Sequence, residues 1–272
     1  MATPYEHFHQ TIDVKERTND LMFVSRFNKE VLIGANMGFE QLNDGVWAKT
    51  YLLVDENTME AALVDPVYDY MDSYIETLEQ QKLTLRYAIA SHTHADHITA
   101  CFNLRDITGC EYVMWHETEC LGISKHVTDQ EKIMLGAHPI TFHFAPGHTS
   151  DSMLIHFDNY LMTGDFLFTG EGGVGRDDLP GGSMKVHWDS LQVLNRFEGA
   201  ELVCTGHDPP ETKMQSLQWN RENNFVLKMT SFEEYEQWQS ENNIKLGSVS
   251  KIKTAIPANL SREIPDVIPW LQ

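Results

Sequence analysis

The stretch Ser91-His92-Thr93-His94-Ala95-Asp96-His97-Ile98-Thr99 places three histidines and one aspartate within six residues. It follows Arg86-Tyr87-Ala88-Ile89-Ala90-Ser91, a short and mostly apolar run that predicts a buried strand. The histidine cluster therefore begins where a strand ends and a loop starts, which is where binding groups concentrate. Because His and Asp form strands poorly and are costly to bury unpaired, this density favours a metal-binding loop.

Single ligand-type residues follow other predicted strands in the same way. The apolar runs at 140–144, 160–162 and 201–204 lead into Gly147-His148, Gly164-Asp165 and Gly206-His207. Runs 51–54 and 61–64, and likewise 153–155 and 160–162, flank turn residues and predict two hairpins. Strand ends thus deliver all the candidate ligands, an arrangement that suits a site at the rim of a sheet sandwich: His92, His94, Asp96, His97, His148, Asp165 and His207.

Helical spacing of apolar residues appears between and after these strands. The pattern at 71–78 predicts a helix with Asp69 as its N-cap, and the stripe at 188–197 predicts another that ends at Gly199. Beyond Pro210 we expect helix to about Gln239, with Ser231 and Glu234 spaced as a capping box. The proline-containing tail is expected to be extended, and His143 and His156 are expected to alternate toward solvent.

These patterns favour one domain over residues 1–272. We divide it into an N-terminal extension (1–40), a catalytic core (45–210), and a helical C-terminal extension with a tail (211–272). Within the first part, apolar runs at 21–24 and 31–34 are candidate strands.

The charge balance limits the partners of this chain. Its 20 basic and 40 acidic residues give a net charge of -20, which repels nucleic acid and anionic lipid. The 4 cysteines lack a CxxC spacing, which favours free thiols in a reducing compartment. No apolar stretch is long enough to span a membrane, and the N-terminus has no secretory or transit pattern. We therefore expect a cytoplasmic protein.

The ordered series His-x-His-x-Asp-His, Gly-His, Gly-Asp and Gly-His resembles the metallo-β-lactamase superfamily over residues 45–210. The resemblance implies an α+β fold, an αββα sandwich with the metal site at the edge between its two sheets. It also implies a dinuclear site in which His92, His94 and His148 hold one metal. Asp96, His97 and His207 would hold the second metal, and Asp165 would bridge. Two Zn(II), or a Zn/Fe pair, would activate water for hydrolysis.

A second interpretation needs one metal per chain. His92, His148 and Asp165 form a two-histidine, one-carboxylate set of the kind favoured for Fe(II) and O₂ chemistry. Persulfide dioxygenases of the same superfamily use this arrangement, and the chain is similar to them at 93–99, 173–178 and 255–260. This resemblance implies oxidation of glutathione persulfide to sulfite and glutathione. The segment Asp177-Asp178-Leu179-Pro180-Gly181-Gly182 departs from it and looks more like glyoxalase-II-like thioester hydrolases.

The remaining roles follow from the iron-dependent interpretation. Asp96 and His97 become candidate catalytic groups that, with His94 and His207, orient the centre. Glutathione carries two carboxylates, so a cationic clamp is expected, and Arg176 in the Gly-rich loop is the candidate. The expected partner is a small thiol-derived molecule, and a homo-oligomer is compatible with the helical extension.

Overall fold

Two β-sheets carry the structure. The computed structural model describes residues 36–43, 48–209, 211–248 and 250–271. Within these residues the first sheet contains β1 (Met37–Asn43), β2 (Thr50–Asp55), β3 (Glu60–Val64), β4 (Thr84–Ile89), β5 (Glu111–Trp115) and β6 (Lys125–Val127) in that spatial order. Strands β1 to β3 run antiparallel, and β3 to β6 run parallel.

The second sheet is built from the later part of the chain. Each strand in it lies beside the next one along the chain. The strands are β7 (Lys132–Leu135), β8 (His138–Phe144), β9 (Met153–Phe157), β10 (Tyr160–Gly164), β11 (Leu202–Thr205) and β12 (Gln215–Ser216). All neighbours in it are antiparallel except β10 and β11. Both predicted hairpins are confirmed as the pairs β2–β3 and β9–β10.

Helices cover the outer faces of both sheets. They are α1 (Met71–Gln81), α2 (Cys101–Thr108), α3 (Met184–Ser190), α4 (Leu217–Asn223), α5 (Phe232–Leu246) and α6 (Ile252–Ser261). Within the part of the chain that is described, no helix has the length and apolar character needed to cross a membrane.

The alternation of side chains along β2 explains the layering. Tyr51 and Leu53 point into the core between the two sheets, whereas Leu52 and Val54 face the core beneath α1, α2 and α6. On the far side, Leu161 of β10 packs in a third core with residues of α4 and α5. The predicted αββα sandwich is therefore confirmed. The residues from Met37 onward cluster as one compact unit, and the candidate strands at 21–24 and 31–34 lie outside the described residues.

Two helix boundaries differ from the prediction. Asp69 does not cap α1. It lies in a 3₁₀ turn (Tyr68–Tyr70) before the helix, and its Oδ2 accepts a hydrogen bond from Trp270 Nε1 at 2.9 Å. The stripe at 188–197 does not form one helix. Helix α3 ends at Ser190, and a 3₁₀ helix (Leu191–Arg196) follows it, with Phe197 as its C-cap. With the tighter winding Leu191, Leu194 and Phe197 are still buried, and Trp188 is partly buried.

Beyond Pro210 the helical prediction is only partly right. Two helices, α4 and α5, replace a single one, and α5 runs on to Leu246. Ser231 caps α5 by accepting from the Glu234 amide at 3.3 Å, but the Glu234 carboxylate accepts from the Thr230 amide instead of the Ser231 amide. The capping box is therefore half formed.

The prediction of an extended tail was wrong for residues 252–261. Residues 252–261 form α6 with Pro257 inside it. The ring of Pro257 removes one helical hydrogen bond, but Ala255, Ala258 and Asn259 are buried, and this burial outweighs the loss.

The prediction that His143 and His156 turn toward solvent was right about the face of the sheet but wrong about the exposure of His143. The two histidines share the outer face of the second sheet, but Phe197 packs edge-on against both rings at centroid distances of 4.9 and 5.5 Å. His143 is consequently only 8% exposed.

Candidate metal centre

The ends of four strands meet at one edge of the sandwich. The histidine loop follows β4, His148 follows β8, Asp165 follows β10 and His207 follows β11. Backbone hydrogen bonds tie these ends together, because the Met153 amide donates to Ser91 O at 3.0 Å and the Gly206 amide donates to Gly164 O at 2.7 Å. The first of these bonds links the two sheets, so candidate ligands from both halves of the chain converge.

Glycine is required at this junction. Gly164 has a φ of +49°, and a Cβ atom there would lie 2.6 Å from Ser91 Oγ and 3.3 Å from His92 Nδ1. A Cβ at Gly206 would overlap the Asp165 carboxylate. The glycines before Asp165 and His207 therefore allow backbone to pass directly behind the candidate ligands.

His92, His148 and Asp165 form the first candidate cluster. One ligand atom from each lies within 4.8 Å of the other two. His148 Nε2 is 3.6 Å from Asp165 Oδ2, and the His92 and His148 rings meet edge to face at 4.8 Å. Both histidines are almost fully buried. This is the two-histidine, one-carboxylate set predicted for a mononuclear iron.

The other ring nitrogen of each histidine is already engaged. His92 Nδ1 lies 2.9 Å from Ser91 Oγ, and His148 Nδ1 donates to Arg176 O at 2.5 Å. These bonds fix the tautomer and leave each Nε2 with a free lone pair. His92 Nε2 is buried and has no hydrogen-bond partner among the described residues.

His94, Asp96 and His97 form the second candidate cluster, again with ligand atoms within 4.8 Å of one another. His94 Nε2 lies 3.2 Å from Asp65 Oδ1, so Nδ1 is its nitrogen available for a metal. His97 Nδ1 contacts the Asp96 carboxylate at 3.1 Å. His97 Nε2 is buried and lacks a partner among the residues that the structure covers.

His207 lies between the two clusters. Its Nε2 is 3.4 Å from Asp96 Oδ2 and 3.5 Å from Asp165 Oδ1. Asp165 Oδ2 faces His148 in the first cluster, and Asp165 Oδ1 faces His207. All seven residues predicted as metal-site groups from the sequence are thus brought together, and their roles as ligands remain predictions.

The electrostatics of the centre suit a cation. Burial, followed by the neighbouring His94 and His148, holds the pKa of His92 well below its usual value and keeps the imidazole in the neutral, ligating form. Burial alone would raise the pKa of Asp96, but His97 and His207 outweigh it and hold that pKa well below the usual range. Asp96 is therefore a carboxylate.

Orphaned atoms test whether a metal fits here. His92 Nε2, His97 Nε2 and Asp165 Oδ1 are buried without a hydrogen-bond partner among the described residues. Such atoms are rare in folded proteins because each costs free energy, and all three belong to the two candidate clusters. Histidine nitrogens and aspartate oxygens suit zinc, iron and manganese alike. The residues present therefore fit a metal centre.

Fold and site together define a metal-dependent enzyme class. The model of the Metallo-beta-lactamase superfamily matches residues 44–207, and the chain belongs to that superfamily. Over 215 residues it is 30% identical to the human protein named persulfide dioxygenase ETHE1, mitochondrial, covering 78% of this chain and 82% of the relative. The crystal structure of ETHE1 from Myxococcus xanthus aligns with a TM-score of 0.76 and 31% identity, over 83% of this chain and 99% of that one.

A hydrolase-like relative matches a shorter region. The chain is 27% identical over 187 residues to a beta-lactamase hydrolase-like protein of Xylella fastidiosa, covering 58% of this chain. The match spans only 43% of the length of that relative.

Arg176 lies beside the centre, but its backbone makes the contact. The carbonyl oxygen of Arg176 accepts from His148, as described above. Its guanidinium donates to Asp178 from Nε at 2.7 Å and from Nη2 at 2.8 Å, and Nη1 donates to Gly247 O at 2.8 Å. The substrate-binding role of Arg176 remains a prediction.

Sequence reasoning missed the residues that hold the ligands in place. Asp65 is not among the candidates named from the sequence, yet it accepts from the Ser91 amide at 2.6 Å and from Ser91 Oγ at 2.7 Å. Asp151 accepts from Thr93 Oγ1 at 2.6 Å and so joins the histidine loop to the His148 loop. One signal was available, since Asp65 ends the strand predicted to precede the histidine strand.

Proposed function

We propose that this protein is an iron-dependent sulfur dioxygenase that oxidises a glutathione persulfide-type substrate with O₂. The observation that carries the proposal is the cluster of His92, His148 and Asp165, in which candidate ligand atoms from three separate loops lie within 4.8 Å of one another. A set of this composition leaves coordination positions for substrate and O₂. One Fe(II) per chain is the proposed cofactor.

The comparisons support this assignment over most of the chain. The likeness to the human persulfide dioxygenase extends over 78% of this chain. The Myxococcus ETHE1 structure is covered almost completely. Both matches therefore involve more of the chain than the core shared by the superfamily at 44–207.

The overall reaction balances without a further cofactor. A persulfide, O₂ and water give a thiol, sulfite and two protons, with the terminal sulfur oxidised and O₂ reduced. Iron, when bound by His92, His148 and Asp165, supplies the redox chemistry that O₂ requires.

The protein's own groups orient this centre and handle protons. Ser91 and Arg176 O hold the rings of His92 and His148. His207 Nε2 lies 3.4 Å from Asp96 Oδ2 beside the first cluster, where the carboxylate orients the imidazole and the imidazole can accept a released proton.

A dinuclear thioester hydrolase is the second candidate, with S-D-lactoylglutathione as an example substrate. The specific observation in its favour is the second cluster, in which the orphaned His97 Nε2 and the Nδ1 of His94 accompany Asp96. In this interpretation Asp96, His97 and His207 would hold one metal, and His92, His94 and His148 would hold the other. Asp165 would bridge two Zn(II) or a Zn/Fe pair. A shared water would then be the nucleophile.

Metal content and O₂ consumption distinguish the two candidates. The test measures metal per chain on anaerobically purified protein and follows O₂ after addition of glutathione persulfide. About one iron per chain with rapid O₂ loss supports the dioxygenase. About two metals per chain, no O₂ loss and cleavage of the thioester would replace it with the hydrolase.

Location and assembly are part of the same proposal. We propose a cytoplasmic enzyme that acts on a small thiol-derived molecule, although the human relative is named as mitochondrial. The acidic net charge of -20 argues against nucleic acid and anionic membranes as partners. A homo-oligomer remains a prediction, which sedimentation of the purified protein would test.

A further inference from the structure

Asn259 connects the C-terminal helix α6 to the histidine loop. Its Nδ2 donates to His94 O at 2.9 Å and to His97 O at 3.0 Å, and its Oδ1 accepts from the Thr99 amide at 2.9 Å. The side chain is 1% exposed. One carboxamide offers two N–H donors and one carbonyl acceptor, so these three bonds use both of its donors and its acceptor.

The bonds fix the backbone on both sides of Asp96. His94 and His97 bracket the second candidate cluster, and their carbonyl oxygens both point at the same amide group. The backbone of a loop sets the direction of its side chains. Holding these two carbonyls therefore fixes where His94 Nδ1 and His97 Nε2 point.

Helix α6 is held in place independently of Asn259. Ala258 packs in the core beneath the first sheet, and Leu260 O accepts from the Leu121 amide at 2.9 Å. The neighbours of Asn259 on both sides therefore anchor α6, and the Asn259 side chain extends from it to the histidine loop. It also lies beyond residue 207, where the match to the superfamily model ends.

We propose that Asn259 is a positioning residue for the metal centre, acting on the His94/Asp96/His97 side of it. The proposal rests on the metal centre described above and not on which reaction that centre performs. Outer groups that orient metal ligands typically contribute tenfold to hundredfold in metal affinity.

The chain contains a matched control in Asn224. That side chain is also fully buried, donates to Phe168 O at 3.1 Å and Gly173 O at 2.8 Å, and accepts from the Val226 amide at 3.0 Å. It therefore makes the same three-bond pattern, but to the loop at 168–173 on the Asp165 side of the centre and not to the His94/Asp96/His97 side. A purely structural role would affect the two asparagines alike.

Cobalt(II) is the probe, because its visible absorption reports the number and geometry of its ligands. The proteins compared are wild type, Asn259→Asp, Asn259→Ala and Asn224→Asp, each demetallated and titrated with Co(II). Asn259→Asp keeps the shape and the acceptor but loses the donors. We expect both Asn259 variants to bind Co(II) about tenfold or more weakly and to show an altered spectrum, whereas Asn224→Asp retains the wild-type affinity and spectrum.

The outcomes separate the two levels of the proposal. If wild type binds no Co(II), the metal centre fails and the inference fails with it. If wild type binds Co(II) and Asn259→Asp matches it in affinity and spectrum, only the role of Asn259 is overturned.

Hydrogen exchange of the Thr99 amide in the wild type gives a test that needs no variant. Slow exchange supports the bond to Asn259. Exchange as fast as that of an unstructured loop would overturn it.

Discussion

His94 Nε2 lies 3.2 Å from Asp65 Oδ1, although the two residues are 29 positions apart. The same carboxylate accepts from the Ser91 hydroxyl, and that hydroxyl contacts His92 Nδ1 at 2.9 Å. One buried aspartate thus orients a histidine of each candidate cluster. Burial alone would raise the pKa of Asp65, but His94 outweighs it and lowers that pKa, so the group is ionised.

Replacing this carboxylate should weaken metal binding. Asp65→Asn keeps the shape of the side chain but removes one of its two acceptor oxygens. Its NH₂ group would then face the amide or the hydroxyl of Ser91, which are themselves donors. We expect metal affinity to fall about tenfold to hundredfold, as for other groups that orient metal ligands. Competition with a chromophoric chelator measures the change. Asp129→Asn is the control, because Asp129 binds Arg196 and the Phe144 amide instead, and equal losses in the two variants would contradict the role of Asp65.

His148→Ala and Asp165→Ala should each remove most bound metal and activity. Each change deletes one of three ligands from the first cluster. Metal analysis of the purified variants provides the measurement. Full metal occupancy in either variant would refute the ligand assignment, and the exposed His116, changed to Ala, should retain the wild-type content.

Arg176→Ala should raise the KM for a glutathione-based substrate about tenfold, the magnitude expected for a lost bond to a charged group. A guanidinium has five N–H donors, and three of them are used by Asp178 and Gly247. The other two remain for a carboxylate. Steady-state kinetics together with thermal unfolding test this. An unchanged KM with a lowered Tm would assign Arg176 to support of the loop only.

The buried His143 should make stability fall in acid. Burial, with His156 and Arg196 as further causes and with Asp129 opposing, lowers the pKa of His143 to about 4. Between the pKa of about 6.5 in the unfolded chain and about 4 in the folded chain, His143 is protonated in the unfolded chain but neutral in the folded chain. Stability is present above this window and is lost as the pH falls through it.

His143→Phe should remove that dependence. We compare the free energy of unfolding of the variant with that of wild type at each pH. This difference is expected to be about 1 kcal/mol more in favour of the variant at pH 5 than at pH 7, once solvent screening is allowed for. Denaturant unfolding at the two pH values measures it. The same difference at both values would contradict the assignment.

Tyr235→Phe should destabilise the loop that supports His148. The Tyr235 hydroxyl donates to Asp177 Oδ2 at 2.8 Å, and Asp177 directly follows Arg176, whose carbonyl binds His148. Loss of a bond to a buried carboxylate costs about 1.5–3 kcal/mol. Tyr87→Phe, which loses a bond to the neutral carbonyl of Met134, should cost only about 0.5–1.5 kcal/mol. Denaturant unfolding at neutral pH compares them, and equal costs would show that the charge of Asp177 has no effect.

The amino-acid sequence was enough to predict the sandwich and the candidate ligands that it brings to one edge. His92, His148, Asp165 and His207 each follow a strand that is visible as a short apolar run, and sheets bring strand ends to shared edges. The hairpins were equally visible because their alternation and turn residues are local. Such features depend on neighbours within a few positions, and one sequence is enough to detect them.

The groups that orient those candidate ligands became apparent only in the folded chain. Asn259 accepts a hydrogen bond from the Thr99 amide, 160 positions away, and no periodic pattern in the sequence predicts such a pairing. Helix α6 was missed for a related reason, since Pro257 argues against a helix locally while burial of Ala255 and Ala258 against the core favours one. The bond from the Arg176 guanidinium to Gly247 O was equally unpredictable because it spans 71 positions, whereas its other partner, Asp178, is a near neighbour in the sequence. Long-range hydrogen bonds and burial are properties of the folded chain, and they become visible only when it has folded.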